Sequence, residues 1–331
     1  MILAIETSCD DTCAAVVTGD GRILANVISS QGIHDRYGGV VPEIASRHHL
    51  RLIGAAVDDA LRLARVSLQQ IELMAVTRGP GLVGALLVGL ASAKATAAAM
   101  QLPLAGIDHL HGHVAAGFLA PSELREPFVC LIASGGHTFL ARVTDRGPAF
   151  EVIGQTLDDA AGEAFDKGAR LLGLGYPGGP ALERLARDGD PAAFAFPTGA
   201  RMAGLDFSFA GLKTALLYRV RELGVAEAER RRADLAASYQ RAIVEALALR
   251  AERALLDTGS QRLALGGGVA ANGPLRRRMA GLGVELHVPP RELCTDNAAM
   301  IASAARYVPA LPFPKYLDLD VYATGEQALA A

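Results

Sequence analysis

His109 and His113 stand four residues apart in the stretch His109-Leu110-His111-Gly112-His113. If that stretch opens a helix, the spacing puts both rings on one face, where they can chelate one metal ion, and turns His111 elsewhere. A third ligand must then come from a distant part of the chain. Asp296, at the loop–helix junction Cys294-Thr295-Asp296-Asn297, is a carboxylate that can supply it. The zinc-peptidase pattern HExxH is missing, because Leu110 stands where its glutamate base would be. Spacing alone makes the two histidines only a suggestive metal signal, and a polar helix start is the commoner reading.

A second cluster is acidic. Glu6-Thr7-Ser8-Cys9-Asp10-Asp11-Thr12 brings three carboxylates and three hydroxyls to the end of the apolar run Ile2–Ile5. Such a set suits a metal-bound phosphate or a polarised water, and equally a solvated turn. The remaining chemistry is built on glycine. Ser134-Gly135-Gly136-His137-Thr138 separates two apolar runs, as a hairpin turn would, and its glycines let backbone N–H groups approach an anion. Arg78-Gly79-Pro80-Gly81 and Gly266-Gly267-Gly268 each follow a strand-like run and precede a helical one, the arrangement that aims helix N–H groups at a phosphate. The first lacks the GK[ST] of a P-loop, and the second leads to Asn272, which can read a ribose or a phosphate. Asp158, Glu163 and Asp166 crowd a helix start, where carboxylates favour the dipole or can bind a sugar hydroxyl. The rigid, glycine-lined loop Gly173–Pro180 follows, then a helix carrying Glu183.

The elements that must position these groups are legible in part. Residues 2–18 lie on residues 128–144 without a gap when shifted by 126 positions, matching Ser8 with Ser134, Thr12 with Thr138 and Ala15 with Ala141. Each copy reads as a meander of three strands, which predicts two related lobes with a ligand between them. Pro42-Glu43 opens a long helical pattern to about Ala64; its adjacent His48 and His49 diverge and read as a polar face. Further helices are expected over 214–223 and 226–257. Residues 82–107 are the most apolar stretch, but Lys94 interrupts it and small residues dominate, so a buried helix fits better than a membrane span.

Composition sets the outer limits. The chain has 331 residues, half of them apolar, enough for two ordinary domains. A net charge of −3 excludes a globally basic nucleic-acid binder but leaves room for a local basic groove. Four cysteines without a CxxC pair predict free thiols in a reducing cytoplasm, and no secretory signal is present.

Taken together, IETSCDDT (5–12), GGVVPEIASRHH (38–49), RGPGLVGALLVG (78–89), HLHGH (109–113), SGGHT (134–138), DDAAGEAFDK (158–167), GYPGGP (175–180), DFSFAGLKT (206–214), GGGVAAN (266–272) and CTDNAAM (294–300) resemble the TsaD family, once called glycoproteases or O-sialoglycoprotein endopeptidases. The motifs run in order over almost the whole chain. The resemblance implies an α/β fold of the actin, sugar-kinase and Hsp70 type, with duplicated ribonuclease-H-like lobes and a central cleft. An N-terminal lobe would comprise 1–107 plus 297–331, and a C-terminal lobe 108–296. It implies transfer of a threonylcarbamoyl group from threonylcarbamoyl-AMP to N6 of the adenosine at position 37 of tRNAs that read codons starting with A. His109, His113 and Asp296 match the family's metal ligands. The metal is most often iron, though zinc and magnesium also suit such a set, and it would act as Lewis acid and template on the carbamoyl centre. Ile132, Ala133, Ser134, Gly135 and Gly136 would hold the threonylcarbamoyl-adenylate; Asp166, Gly179 and Asn272 its adenosine, with Glu183 close by. Asp10 and Asp11 are candidates for positioning or deprotonating the attacking amine. The implied partners are tRNA, a TsaB-like paralogous subunit and a TsaE-like ATPase, in the cytoplasm and away from membranes. Arg201, Lys213 and Arg276–Arg278 are basic candidates for tRNA contact. The chain departs from the family's usual CDET in reading CDDT, so Asp11 is one methylene shorter. FAGLKT and DNAAM differ from the commoner FSGLKT and DNGAM only by small residues.

Three other classes compete. A kinase or ATPase of the same fold explains the glycine turns but not a two-histidine metal set. A metallopeptidase, as in the older name, lacks the HExxH base. A non-catalytic scaffold has no need of intact SGGHT and HLHGH.

Overall fold

The computed structural model describes residues 1–122, 124–147 and 149–323. The chain forms two compact units, the first from Met1–Glu126, Asp145–Ala149 and the segment from Asp296 onward, the second from Pro127–Thr144 and Phe150–Thr295. The first unit contains β1 (Ile2–Glu6), β2 (Asp11–Val17), β3 (Ile23–Ser30), α1 (Pro42–Ala64), β4 (Leu73–Gly79), α2 (Val83–Met100), β5 (Leu104–Asp108) and α3 (His109–Ala115). The second contains β6 (Phe128–Ala133), β7 (Thr138–Val143), β8 (Glu151–Gln155), α4 (Ala161–Leu171), α5 (Gly178–Ala186), α6 (Ala210–Arg230), α7 (Arg232–Thr258), β9 (Arg262–Gly266), α8 (Gly273–Ala280) and β10 (Glu285–His287). After β10 the chain returns to the first unit as α9 (Ala298–Ala305).

The sequence repeat is a structural one. The sheets run β3-β2-β1-β4-β5 and β8-β7-β6-β9-β10, the same order. In each the first three strands are antiparallel and the last two join in parallel. Ile2 faces Val17 and Phe128 faces Val143, so the 126-residue shift carries one hairpin onto the other in register. Because side chains alternate between sheet faces, a slip of one residue would have exchanged the two faces.

In the first unit Leu3, Ile5, Ala14 and Val16 join Ile53, Ala56 and Ala60 of α1 and Ala93 of α2 in one core. On β1 and β2 packs α9, whose eight residues are all buried; alanine there lets a helix lie close to strands. In the second unit α7 supplies much of the core, from Leu235 to Leu255, around the fully buried Tyr239.

Three expectations change. The lobe boundary placed at 107/108 falls between Glu126 and Pro127, because α3 packs against α9 of the first unit, and Asp296 goes with it. Gly112 makes that contact possible: a Cβ there would meet Ile301 Cδ1 at 2.7 Å. The helices expected at 214–223 and 226–257 do part at Gly224, whose φ of 73° is non-helical, but a further break at Arg231 divides the second of them. Finally, α2 is only 33% buried. It lies against α1 and β4, leaving Val83, Leu87, Ala91 and Ala95 as an exposed apolar stripe.

Candidate functional site

Strand β5 runs directly into α3. Asp108 caps the helix, accepting hydrogen bonds from Leu110 N–H at 2.8 Å and His111 N–H at 3.0 Å. The cap fixes where the first turn begins, and so puts His109 and His113 on one face. Asp296 Oδ1 lies 3.5 Å from His109 Nε2 and 3.3 Å from His113 Nε2, and the three ligand atoms are all within 4.8 Å of one another. For metal–ligand bonds of about 2.1 Å, the edge of a tetrahedron is about 3.4 Å, so the carboxylate oxygen already stands at metal-ligand spacing from each histidine. His113 is 2% exposed, and among the described residues neither ring nitrogen has a hydrogen-bond partner. An orphaned group of this kind costs about 1–3 kcal/mol, and a cation bound at Nε2 would remove that cost there. Two imidazoles and a carboxylate suit several divalent ions, and the residues fit a metal. His111 is also buried but is not part of this cluster.

Behind His109 stands Glu6, which is not the solvated turn residue its neighbours suggested. It is the last residue of β1 and is 0% exposed. Its Oε2 accepts from His109 Nδ1 at 3.0 Å and from the Thr77 hydroxyl, and its Oε1 accepts from Ser8 N–H. Burial pushes the Glu6 carboxyl up, but the His109 imidazole beside it outweighs this and holds it below the ordinary value. For His109, burial works against the charge, yet Asp296 and Glu6 prevail and push it up to about 9.

The remaining acids belong to the same unit. Asp11 opens β2, and burial, with Asp296 and Asp10 close by, pushes its carboxyl up to about 6 against the hydrogen bond from Ser30. A residue that sequence reasoning placed on a polar face sustains this turn. His49 is fully buried, accepting from the Thr12 hydroxyl at Nδ1 (2.8 Å) and donating from Nε2 to Cys9 O (2.9 Å). Burial holds its pKa down, in keeping with a neutral ring. The signal was available, because Ala45, His49, Ile53, Ala56 and Ala60 form the buried stripe of α1 at helical spacing.

In the second unit, Ser134 N–H donates to His137 O at 2.8 Å, closing the turn between β6 and β7. Nothing approaches within 4 Å of a Cβ built on Gly135 or Gly136, so both are open to a ligand. A circuit of contacts joins this turn to the other expected residues. At the start of α4, a Cβ on Gly162 would lie 2.6 Å from Ser134 O, so only glycine fits. Asp166, also on α4, accepts from Gly178 N–H at 2.8 Å and so anchors the start of α5, which carries Gly179 and Glu183. Burial raises its pKa, against the N–H groups of Gly178 and Gly179. Glu183 accepts from Asn272 Nδ2 at 3.1 Å and Gly273 N–H at 3.2 Å. Both amide hydrogens of Asn272 are spent, the second on Gln240 Oε1 at 2.9 Å, and its Oδ1 caps α8 by accepting from Leu275 N–H at 3.0 Å. The expected direct reading of a ligand by its side chain therefore falls more naturally to Glu183. A cavity of about 710 Å³ adjoins these groups, lined by Glu183, Gln240, Gly273, Pro274, Arg241 and Arg277 among others. Of the basic candidates, Arg276 is spent on Ala270 O and Pro289 O, and Arg278 on Glu245, whereas Arg201, Lys213 and Arg277 are exposed.

The model of a family described as TsaD, tRNA N6-adenosine threonylcarbamoyltransferase, matches residues 22–303. Proteins of that name from Symbiobacterium thermophilum and Anaeromyxobacter dehalogenans are each 53% identical over 313 residues. The alignments cover 93% of this chain and 91% of the first relative, and 92% and 93% for the second. Among solved structures, HypF of T. kodakarensis aligns over 92% of this chain and 46% of its own, with TM-score 0.59 and 15% identity. Component A of the Acidaminococcus fermentans (R)-2-hydroxyglutaryl-CoA dehydratase covers 93% and 96%, with TM-score 0.56 and 15% identity. At such identity these two speak for the fold alone, which is of the actin, sugar-kinase and Hsp70 type.

Proposed function

Because the chain belongs to the TsaD family of tRNA N6-adenosine threonylcarbamoyltransferases, acyltransferases that modify tRNA, we propose that it moves the threonylcarbamoyl group of threonylcarbamoyl-AMP to N6 of adenosine 37, releasing AMP. The observation that carries this reading is the His109–His113–Asp296 cluster, two buried histidines and a half-buried carboxylate, a ligand set with no place in Mg-ATP chemistry, where carboxylates and water are the ligands. These three residues would hold a divalent metal, Fe2+ by the family resemblance, which would supply a Lewis acid when bound.

The chain's own groups divide the remaining work. Residues Ile132–Gly136 bind the acyl-phosphate end, since the open glycine backbone at 135 and 136 offers N–H groups to anionic oxygens. Asp166, Gly179 and Glu183 take the adenosine. The Glu183 carboxylate keeps lone pairs for the ribose hydroxyls beyond the two hydrogen bonds it accepts. Asp11, with its raised pKa, accepts the proton from the attacking amine, and Asp10 orients it. A cytoplasmic setting follows from tRNA as substrate. The partners are a TsaB-like subunit and a TsaE-like ATPase; the uncharged stripe on α2 supports docking of a protein.

The test supplies threonylcarbamoyl-AMP and unmodified tRNA to the metal-loaded protein with its partners and looks for modified adenosine by mass spectrometry of nuclease digests. ATP turnover without modified tRNA would turn the reading toward a kinase or ATPase. For the adenosine subsite, Glu183→Ala is expected to weaken AMP binding about 10- to 100-fold, the worth of one charge-assisted hydrogen bond pair. Calorimetric titration measures it, and unchanged affinity removes Glu183 from the site.

A further inference from the structure

We infer that Glu6 is the positioning residue of the metal centre: it holds the ring proton of His109 on Nδ1 and so leaves Nε2 as the nitrogen offered to a metal. The inference rests on the metal reading of His109, His113 and Asp296. Three donors converge on one buried carboxylate: Ser8 N–H on Oε1, and the Thr77 hydroxyl and His109 Nδ1–H on Oε2. A group that only accepts leaves His109 no choice but to donate from Nδ1, and the Ser8 hydroxyl, 3.2 Å from the same nitrogen, can then only accept alongside Glu6. The opposite nitrogen, Nε2, is the one that stands 3.5 Å from Asp296 Oδ1. A metal-bound histidine held through its other nitrogen by a carboxylate is more basic and cannot rotate away.

Thr77, on β4, and Glu6, at the end of β1, belong to neighbouring parallel strands, so the sheet itself sets the carboxylate's position. His113 has no such support, since its Nδ1 is buried without a hydrogen-bond partner. The two histidines are therefore unequal: His109 is pre-set by the sheet, and His113 is oriented by its helix and the metal.

Glutamine in place of Glu6 has nearly the same shape but cannot meet all three donors. With its oxygen toward Ser8, its amide N–H faces Nδ1 and drives the proton to Nε2, where it blocks the metal. With its oxygen toward His109, its N–H opposes that of Ser8.

The test titrates Zn2+ into metal-free wild-type chain, Glu6→Gln, Thr77→Val and Val76→Ala, by competition with a chelator. Co2+ absorption spectra report the ligand field. The expected result is a 10- to 100-fold weaker metal for Glu6→Gln, a smaller loss for Thr77→Val, and an altered Co2+ spectrum for Glu6→Gln. Val76→Ala leaves a cavity in the adjoining core and lowers stability without touching His109, so it should bind metal as wild type does. Should Glu6→Gln fail to fold, Thr77→Val and the Co2+ spectrum decide the matter. Wild-type affinity in Glu6→Gln, or in Thr77→Val where that variant decides, overturns the inference while leaving the metal site standing. So does an equal loss in Val76→Ala. Absence of metal binding by the wild type overturns both.

Discussion

Replacing His109 and His113 together by alanine is expected to remove the metal and slow threonylcarbamoyl transfer by about 10³-fold or more. A Lewis acid at a developing charge is worth several kcal/mol, and each 1.4 kcal/mol is tenfold in rate. The double variant leaves Asp296 with neither nitrogen ligand, and a lone carboxylate does not retain a first-row metal at micromolar concentration. Metal content by mass spectrometry and single-turnover transfer should fall together. Both rings are buried, at 5% and 2% exposure, so the substitutions also open cavities, and a damaged fold would lower activity for another reason. Wild-type protein stripped with a chelator separates the two causes. It should be as slow as the double variant, and re-addition of metal should revive it alone. Transfer at the wild-type rate by the double variant would remove the triad from the mechanism.

Asp11→Asn should do two opposed things at once: abolish most transfer and stabilise the metal-free chain. If Asp11 takes the amine's proton, its loss costs about 10²- to 10⁴-fold in rate. The stability argument is separate. In the unfolded chain an aspartate ionises near pH 4, whereas in the fold burial and neighbouring carboxylates hold Asp11 protonated until about pH 6. The native state therefore binds this proton more tightly than the unfolded state does. No penalty exists below pH 4. It grows as pH rises from 4 to 6 and is complete above that. Asparagine carries no charge to bury and can still accept from Ser30. After discounting for partial exposure, a gain of about 1–2 kcal/mol is expected at pH 8, shrinking toward zero at pH 4.5. Denaturant unfolding at the two pH values measures it. A variant less stable than wild type at pH 8 contradicts the burial argument. Asp11→Glu, which restores the spelling usual in the family, should keep most of the activity.

The sequence repeat was a reliable guide, because a hairpin's register is local: the 126-residue shift that aligned Ile2 with Phe128 also aligns their cross-strand partners Val17 and Val143. The grouping of His109 with His113 was legible for a similar reason, since an i,i+4 pair needs only one helix turn. What lay out of reach depended on the sheet. Glu6 looked like one more acid at a strand end, and nothing in its neighbours shows that β4 brings Thr77 against it. Likewise Asn272 announced itself as a polar residue after glycines, but that Glu183 and Gln240 take both its amide hydrogens follows from α5 and α7. The burial of His49 was there to be read in the spacing of Ala45, Ile53 and Ala56, and the pairing with His48 obscured it.

The chain leaves the first unit after Ala149 and reaches it again only at Asp296. On the ribosome, the two histidines of the triad therefore emerge long before their carboxylate. While the second unit is being made, the first exists as a site with two ligands of three, along with a sheet that lacks α9. On the metal reading, capture in its final form is a late event, gated by synthesis as far as Asp296. A prematurely ended product carries both histidines and still lacks the residue that would make them a centre.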